Sequence, residues 1–240
     1  TISEVEKRQN LLRDLDTTFR SVERDNQLLD GLDRFSQQAY YMITSKASRE
    51  AFDISREPKE SANLFGEDGF DQSCLLATRL VEAGTRFVTV TLGGWDTHTD
   101  NFTKLKDNNL PKLDAGLSGL LSGLEQRGLL ETTAVFVTGE FGRTPFREGR
   151  TSGGGVLGRD HYPDCYSIWM AGGGVKGGLT YGASDELGFQ VAENPVHIHD
   201  LQATILHQLG FDHTKLTHRF QGRDFRLTDV HGQVVRELLS

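Results

Sequence analysis

Apolar side chains recur at helical spacing through residues 1–60. Leu11, Leu12, Leu15, Phe19 and Val22 form one stripe, and Leu28, Leu29, Leu32, Phe35 and Ala39 form another. Positions three and four apart share one helix face, so this stretch predicts one or two amphipathic helices, a packing layer or a partner-binding arm. Pro58, Gly66 and Gly69 interrupt the pattern, and 56–72 reads as a loop. A helix is expected over Asp71–Ala83, with Gly84 just past its end as a left-handed cap. The period then falls to two, and Phe87-Val-Thr-Val-Thr-Leu92 reads as a strand. Pro111–Arg127 reads as a long helix carrying Leu113, Leu117, Leu120, Leu121 and Leu124, closed by Gly128. Thr132–Thr138 and Tyr166–Ala171 read as two further strands. Asp200–Leu209 reads as a final helix, with Asp200 at the N-cap and Gly210 at the end. Strands alternating with helices predict βαβ units, hence an α/β fold in which a mostly parallel sheet is covered on both faces. The expected organisation is an N-terminal helical segment, 1–60, followed by an α/β domain, 61–240.

Composition narrows this picture. Lys and Arg number 26 against 34 Asp and Glu, a formal net charge of −8. That balance argues against a dedicated nucleic-acid binder or an anionic-membrane binder. No apolar run approaches the roughly 18–20 residues of a membrane span. The two cysteines, Cys74 and Cys165, are too few for a disulfide scaffold or a four-cysteine zinc site, and a single disulfide remains open.

The candidate chemistry lies where strands give way to loops, because ligands of open α/β sheets gather at the carboxyl ends of strands. The first such end carries Asp96 and His98, the second Glu140 and Arg143, and a later loop carries Arg159, Asp160 and His161. Carboxylate and imidazole donors suit Zn, Mn or Fe, with Mg at the carboxylates. In Asp96-Thr97-His98 the donors stand two apart, so an extended backbone points both to one side, and His161 is the best third ligand. The alternative is a turn aspartate capping a loop beside a hydrogen-bonded histidine. Arg143 and Arg159 are candidates for an oxyanion, with ordinary ion pairing as the alternative. Lys176 among glycines could reach an anion, although the Walker order is absent. His197-Ile198-His199-Asp200 looks like a ligand pair but reads more simply as helix capping. Trp95 and Tyr162 flank the site and could line a pocket.

Four motifs occur in order: Gly93-Gly-Trp-Asp-Thr-His98, Gly139-Glu-Phe-Gly-Arg-Thr-Pro145, Gly158-Arg-Asp-His161 and Ala171-Gly-Gly-Gly-Val-Lys-Gly-Gly178. With Asp200–Gly210 they resemble the DUF1501 family over about residues 65–215. That family resembles in turn the alkaline phosphatase and sulfatase superfamily. The resemblance implies a three-layer α/β/α sandwich and a divalent metal, Zn foremost, with Mn, Fe, Mg or Ca as alternatives. It implies Asp96, His98 and His161 as ligands, and Glu140 as a ligand of a second metal or an orienting group. Arg143 and Arg159 would stabilise oxyanion charge. Phe141 stands where the superfamily has a ligating His. The implied activity is hydrolysis of a small phosphate or sulfate ester, such as a sulfated glycan, in a periplasmic or secreted setting. The alternative is a noncatalytic binding domain or a metal-stabilised structural domain. The superfamily's nucleophile precedes these motifs, so the chain reads as a C-terminal portion whose nucleophile lies upstream of Thr1.

Overall fold

The computed structural model describes Ser3, Glu4, Lys7 and residues 34–39, 45–148 and 158–240. The stripe from Leu11 to Val22 and positions 28, 29 and 32 lie outside the described residues, as does most of the glycine-rich stretch before Gly158. Phe35 and Ala39 fall in a helical stretch, 34–39, where both are exposed. The chain divides into two compact units, Thr1–Ala62 with Leu76–Thr89, and Asn63–Leu75 with Val90–Ser240.

In the first unit, helix Lys46–Phe52 starts at Ser45, whose hydroxyl oxygen accepts from the Ser48 amide at 3.0 Å. Arg79 closes its far end. The guanidinium donates to the carbonyls of Ala51 at 3.1 Å and Glu50 at 2.5 Å, and to the Glu57 carboxylate at 2.7 Å. A cation at a helix C-terminus satisfies carbonyls that lack helical partners.

The second unit is built on a continuous helical run. Asn101–Lys104 passes through a π-turn, Leu105–Asn109, into helix Leu110–Gln126. Gly128 follows with φ of 66°, and its left-handed backbone lets the Leu129 amide reach the Leu124 carbonyl at 2.9 Å. The glycines of this helix are contact points. A Cβ on Gly116 would sit 2.5 Å from the Phe70 ring, and one on Gly119 would sit 2.7 Å from the Leu64 carbonyl oxygen. Phe65, Leu75, Leu124, Leu201, Ala203 and Val235 are the main buried apolar side chains of this unit.

The parallel-sheet, three-layer sandwich is not what forms. Among the described residues the strands pair in twos, and every pair is antiparallel. Strand β1, Val135–Val137, pairs with β4, Trp169–Ala171. Between them the short β2, Gly142–Arg143, pairs with β3, His161–Tyr162. Strands β5, Ala183–Ser184, and β6, Val191–Glu193, make a third pair. Strands β7, Thr217–Phe220, and β8, Arg223–Arg226, make a hairpin. A parallel pair needs a crossover, usually a helix, and the described residues between β1 and β4 contain none. The expected strand over Phe87–Leu92 has no ladder among the described residues, and Phe87 is 74% exposed. Alternation identifies two faces, but it does not supply a neighbouring strand.

The helices follow the sequence more closely. Gly69–Glu82, Leu110–Gln126 and Ile198–Gln208 stand near the expected spans. The last is capped by His197 instead of Asp200. His197 Nδ1 accepts from the His199 amide at 3.3 Å, and Asp200, inside the first turn, accepts from the His197 amide at 3.0 Å. No described helix is long and apolar enough to cross a membrane. Cys74 and Cys165 are both free thiols.

Candidate functional site

The Gly93–His98 loop is held from the helical run beside it. The buried Asn109 side chain donates to the Gly94 carbonyl at 2.8 Å, and the Thr97 hydroxyl donates to the buried Asn101 side chain. Gly94 has φ of 89°, which any side chain would resist. The two anchors lie on either side of Trp95 and Asp96, so they fix where Asp96 and His98 start. Asn101 opens the helical run, and Asn109 closes its π-turn, a feature recurrent at functional sites.

A second segment closes on this loop through backbone contacts. The Gly158 amide donates to the His98 carbonyl at 3.1 Å, and the Arg159 amide to the Thr97 carbonyl at 3.2 Å. A Cβ on Gly158 would lie 2.2 Å from the Thr97 carbonyl oxygen, so only glycine allows this approach. Across β2 and β3, Arg143 stands opposite His161, and facing residues of a ladder project to the same side.

These segments bring Asp96, His98, His161 and Arg143 together. Asp96 Oδ1 lies 2.9 Å from His161 Nε2 and 3.0 Å from His98 Nε2, and the two ring nitrogens are 3.2 Å apart. Arg143 Nη2 donates to Asp96 Oδ1 at 2.8 Å and to the Trp95 carbonyl at 2.8 Å, and Nη1 donates to the Arg159 carbonyl at 3.2 Å. The Arg143 guanidinium, and after it the His161 ring, hold the exposed Asp96 carboxyl at about 2, against a smaller opposing effect of burial. On its other side, His98 Nδ1 faces Glu148 Oε2 at 3.5 Å and Asp160 Oδ1 at 3.8 Å. Among the described residues, Asp96–His98–His161 and His98–Glu148–Asp160 are the two groups able to hold a metal ion.

The first group fits a divalent ion. Donors about 2.0–2.1 Å from a tetrahedral zinc lie roughly 3.3 Å apart, so a triangle only slightly tighter needs a small opening. Two imidazoles and one carboxylate leave a further position for water or substrate, the pattern of a catalytic rather than a closed structural site.

The other expected residues are placed differently. Arg159 donates to the Thr144 carbonyl at 2.9 Å and lies 5.4 Å from the centre of the Phe102 ring. Glu140 is exposed and joins neither group. Phe141 packs against His161 with ring centres 4.4 Å apart and the planes tilted by 33°. The Tyr162 hydroxyl donates to the Phe189 carbonyl at 2.7 Å. His197, His199 and His231 border a separate cleft of about 500 Å³. There both Asp200 oxygens accept backbone amides, from His197 at 3.0 Å and Gln233 at 2.8 Å, as a cap requires. Sequence reasoning missed Asn101, Asn109 and Glu148, which carry no spacing signal.

No curated protein and no solved structure matches the chain. The sequence model of the family described as "Protein of unknown function (DUF1501)" matches residues 1–239, so the chain belongs to the DUF1501 family.

Proposed function

We propose that Asp96, His98 and His161 hold a divalent metal, zinc foremost, and that the site serves hydrolysis of small phosphate or sulfate esters. The observation that carries this reading is the convergence of three donor atoms within 3.2 Å of one another at an exposed surface. When bound, the ion polarises a nonbridging oxygen and lowers the pKa of a coordinated water. The chain's own residues prepare that position. Arg143 orients Asp96 and keeps it ionised, and its fixed positive charge favours an anionic ester. The Phe141 ring packs against the His161 imidazole and limits its rotation. The ordered motifs resembling the alkaline phosphatase and sulfatase superfamily support the substrate class, and with it a periplasmic or secreted setting.

Elemental mass spectrometry of the purified chain tests the site. About one equivalent of Zn, Mn or Fe, lost in the Asp96→Ala/His161→Ala double variant, is the expected result. No bound metal in the folded, metal-supplied chain would overturn it. Turnover of aryl phosphate and aryl sulfate esters then tests the activity.

A second reading is a metal-stabilised structural or binding domain. It draws on the engagement of both arginines with backbone carbonyls, which makes them ties between loops. His98→Ala separates the two. Lost hydrolysis in a variant whose metal-free melting temperature matches that of the metal-free wild type supports catalysis, whereas loss of the fold supports a structural ion.

A further inference from the structure

The far side of the His98 ring is not used by the Asp96 cluster. His98 Nδ1 is buried and makes no hydrogen bond. Among the described residues, the nearest ionisable groups there are two carboxylates, Glu148 Oε2 at 3.5 Å and Asp160 Oδ1 at 3.8 Å. Ionised carboxylates only accept hydrogen bonds. A lone pair on Nδ1 would face two like charges, whereas a proton there would face two acceptors. Asp160 is the farther of the two, and its Oδ1 already accepts from the His161 amide at 2.8 Å. We propose that Glu148 is a positioning residue that holds His98 in the Nδ1–H tautomer, so that the Nε2 lone pair is presented to a divalent cation between Asp96 and His161. The proposal rests on the metal-site reading above.

A competing effect acts on the other ring nitrogen. Asp96 Oδ1 lies closer to Nε2, at 3.0 Å, and would draw the proton to that side. Burial decides the contest. The Glu148 side chain is 2% exposed, while that of Asp96 is 68% exposed. Coulomb attraction grows as the effective dielectric falls, by a factor of about four between water and a protein surface. That outweighs a half-ångström difference in distance.

The backbone sets the reach of Glu148. Its amide donates to the Gly158 carbonyl at 2.9 Å, and the Gly158 amide donates to the His98 carbonyl at 3.1 Å. The two residues are therefore tied through a single glycine, which keeps the Glu148 backbone beside the ring. A histidine ligand whose second nitrogen donates to a carboxylate is oriented and made more basic, and losing that partner costs about 10- to 100-fold in metal affinity.

The test uses the full chain with ¹⁵N-labelled histidine. Long-range ¹H–¹⁵N spectra report which ring nitrogen carries the proton, and His98→Gln identifies the His98 signals. In the metal-free protein His98 is expected as Nδ1–H. Glu148→Ala and the isosteric Glu148→Gln should both raise the Nε2–H fraction. Both should also weaken Zn²⁺ binding about 10- to 100-fold in a chelator competition. Glu148→Gln keeps the shape of the buried side chain, so the remaining histidine signals should stay in place. A His98 tautomer unchanged in that folded variant would overturn the proposal. If the wild type takes up no Zn²⁺, the metal reading fails, while the tautomer comparison still decides the role of Glu148.

Discussion

The guanidinium of Arg143 serves three acceptors, the Trp95 carbonyl, the Asp96 carboxylate and the Arg159 carbonyl. A planar fork can do this, and a lysine ammonium cannot reproduce the geometry. The consequence falls on Asp96, whose carboxyl is held at about 2, with the Arg143 hydrogen bond as the largest cause. The group is depressed in the folded chain, so its contribution to stability is present above the ordinary aspartate value of about 3.9. That contribution is lost as pH falls through about 2. Arg143→Gln should lift the Asp96 carboxyl toward the ordinary range, moving the loss to higher pH. A carbon-detected NMR titration of the metal-free chain reads this directly, and an unmoved Asp96 would show that His161 alone suffices. Asp96, His98 and His161 were legible in the sequence because chemically distinctive residues sit beside glycines where a loop was expected. Glu148 was not, because a glutamate between Arg147 and Gly149 reads as solvated charge. Its burial follows from the approach of Gly158 to His98, a contact between distant parts of the chain.

Glycine sets the geometry of the elements as much as any apolar residue. Helix Leu110–Gln126 gives Gly116 and Gly119 to close contacts with Phe70, Leu64 and Phe65. Alanine at an exposed helix position gains about 1 kcal/mol over glycine in propensity. At Gly119 the added Cβ would stand 2.7 Å from a backbone oxygen and 2.8 Å from the Phe65 ring. Overpacking typically costs about 1–3 kcal/mol, so Gly119→Ala should destabilise on balance. Denaturant unfolding would show a lowered midpoint, and a raised midpoint would mean that Leu64 and Phe65 yield. The helix itself was legible because its leucine stripe and terminal glycine are local signals. The strands were not. Thr132–Thr138 shortened to Val135–Val137, and Phe87–Leu92 found no partner among the described residues. Strand pairing depends on a neighbour that the local pattern does not name.

At the scale of the molecule, the alternation of helical and extended segments suggests a parallel sheet, and the antiparallel pairs that form instead leave the site on loops and the short β2–β3 pair. The segments 95–98, 142–148 and 158–161, the last two joined by the β2–β3 pair, meet in the second unit through a few backbone hydrogen bonds and the polar cluster. Such regions open locally at low cost. A ligand that binds only the closed arrangement stabilises it by mass action, by about 2.7 kcal/mol at a hundredfold excess over Kd. Zn²⁺ should therefore raise the melting temperature of the wild type and slow amide exchange selectively in those three segments. His98→Ala should abolish both effects, because His98 belongs to both metal-capable groups. Protection spread evenly over the chain, or retained in His98→Ala, would place the ion elsewhere. Arg79, which ties helix Lys46–Phe52 in the first unit, supplies the internal control. Exchange at the carbonyl-bonded end of that helix should not respond to the metal. A response confined to the three segments would assign the stabilisation to closure of the site.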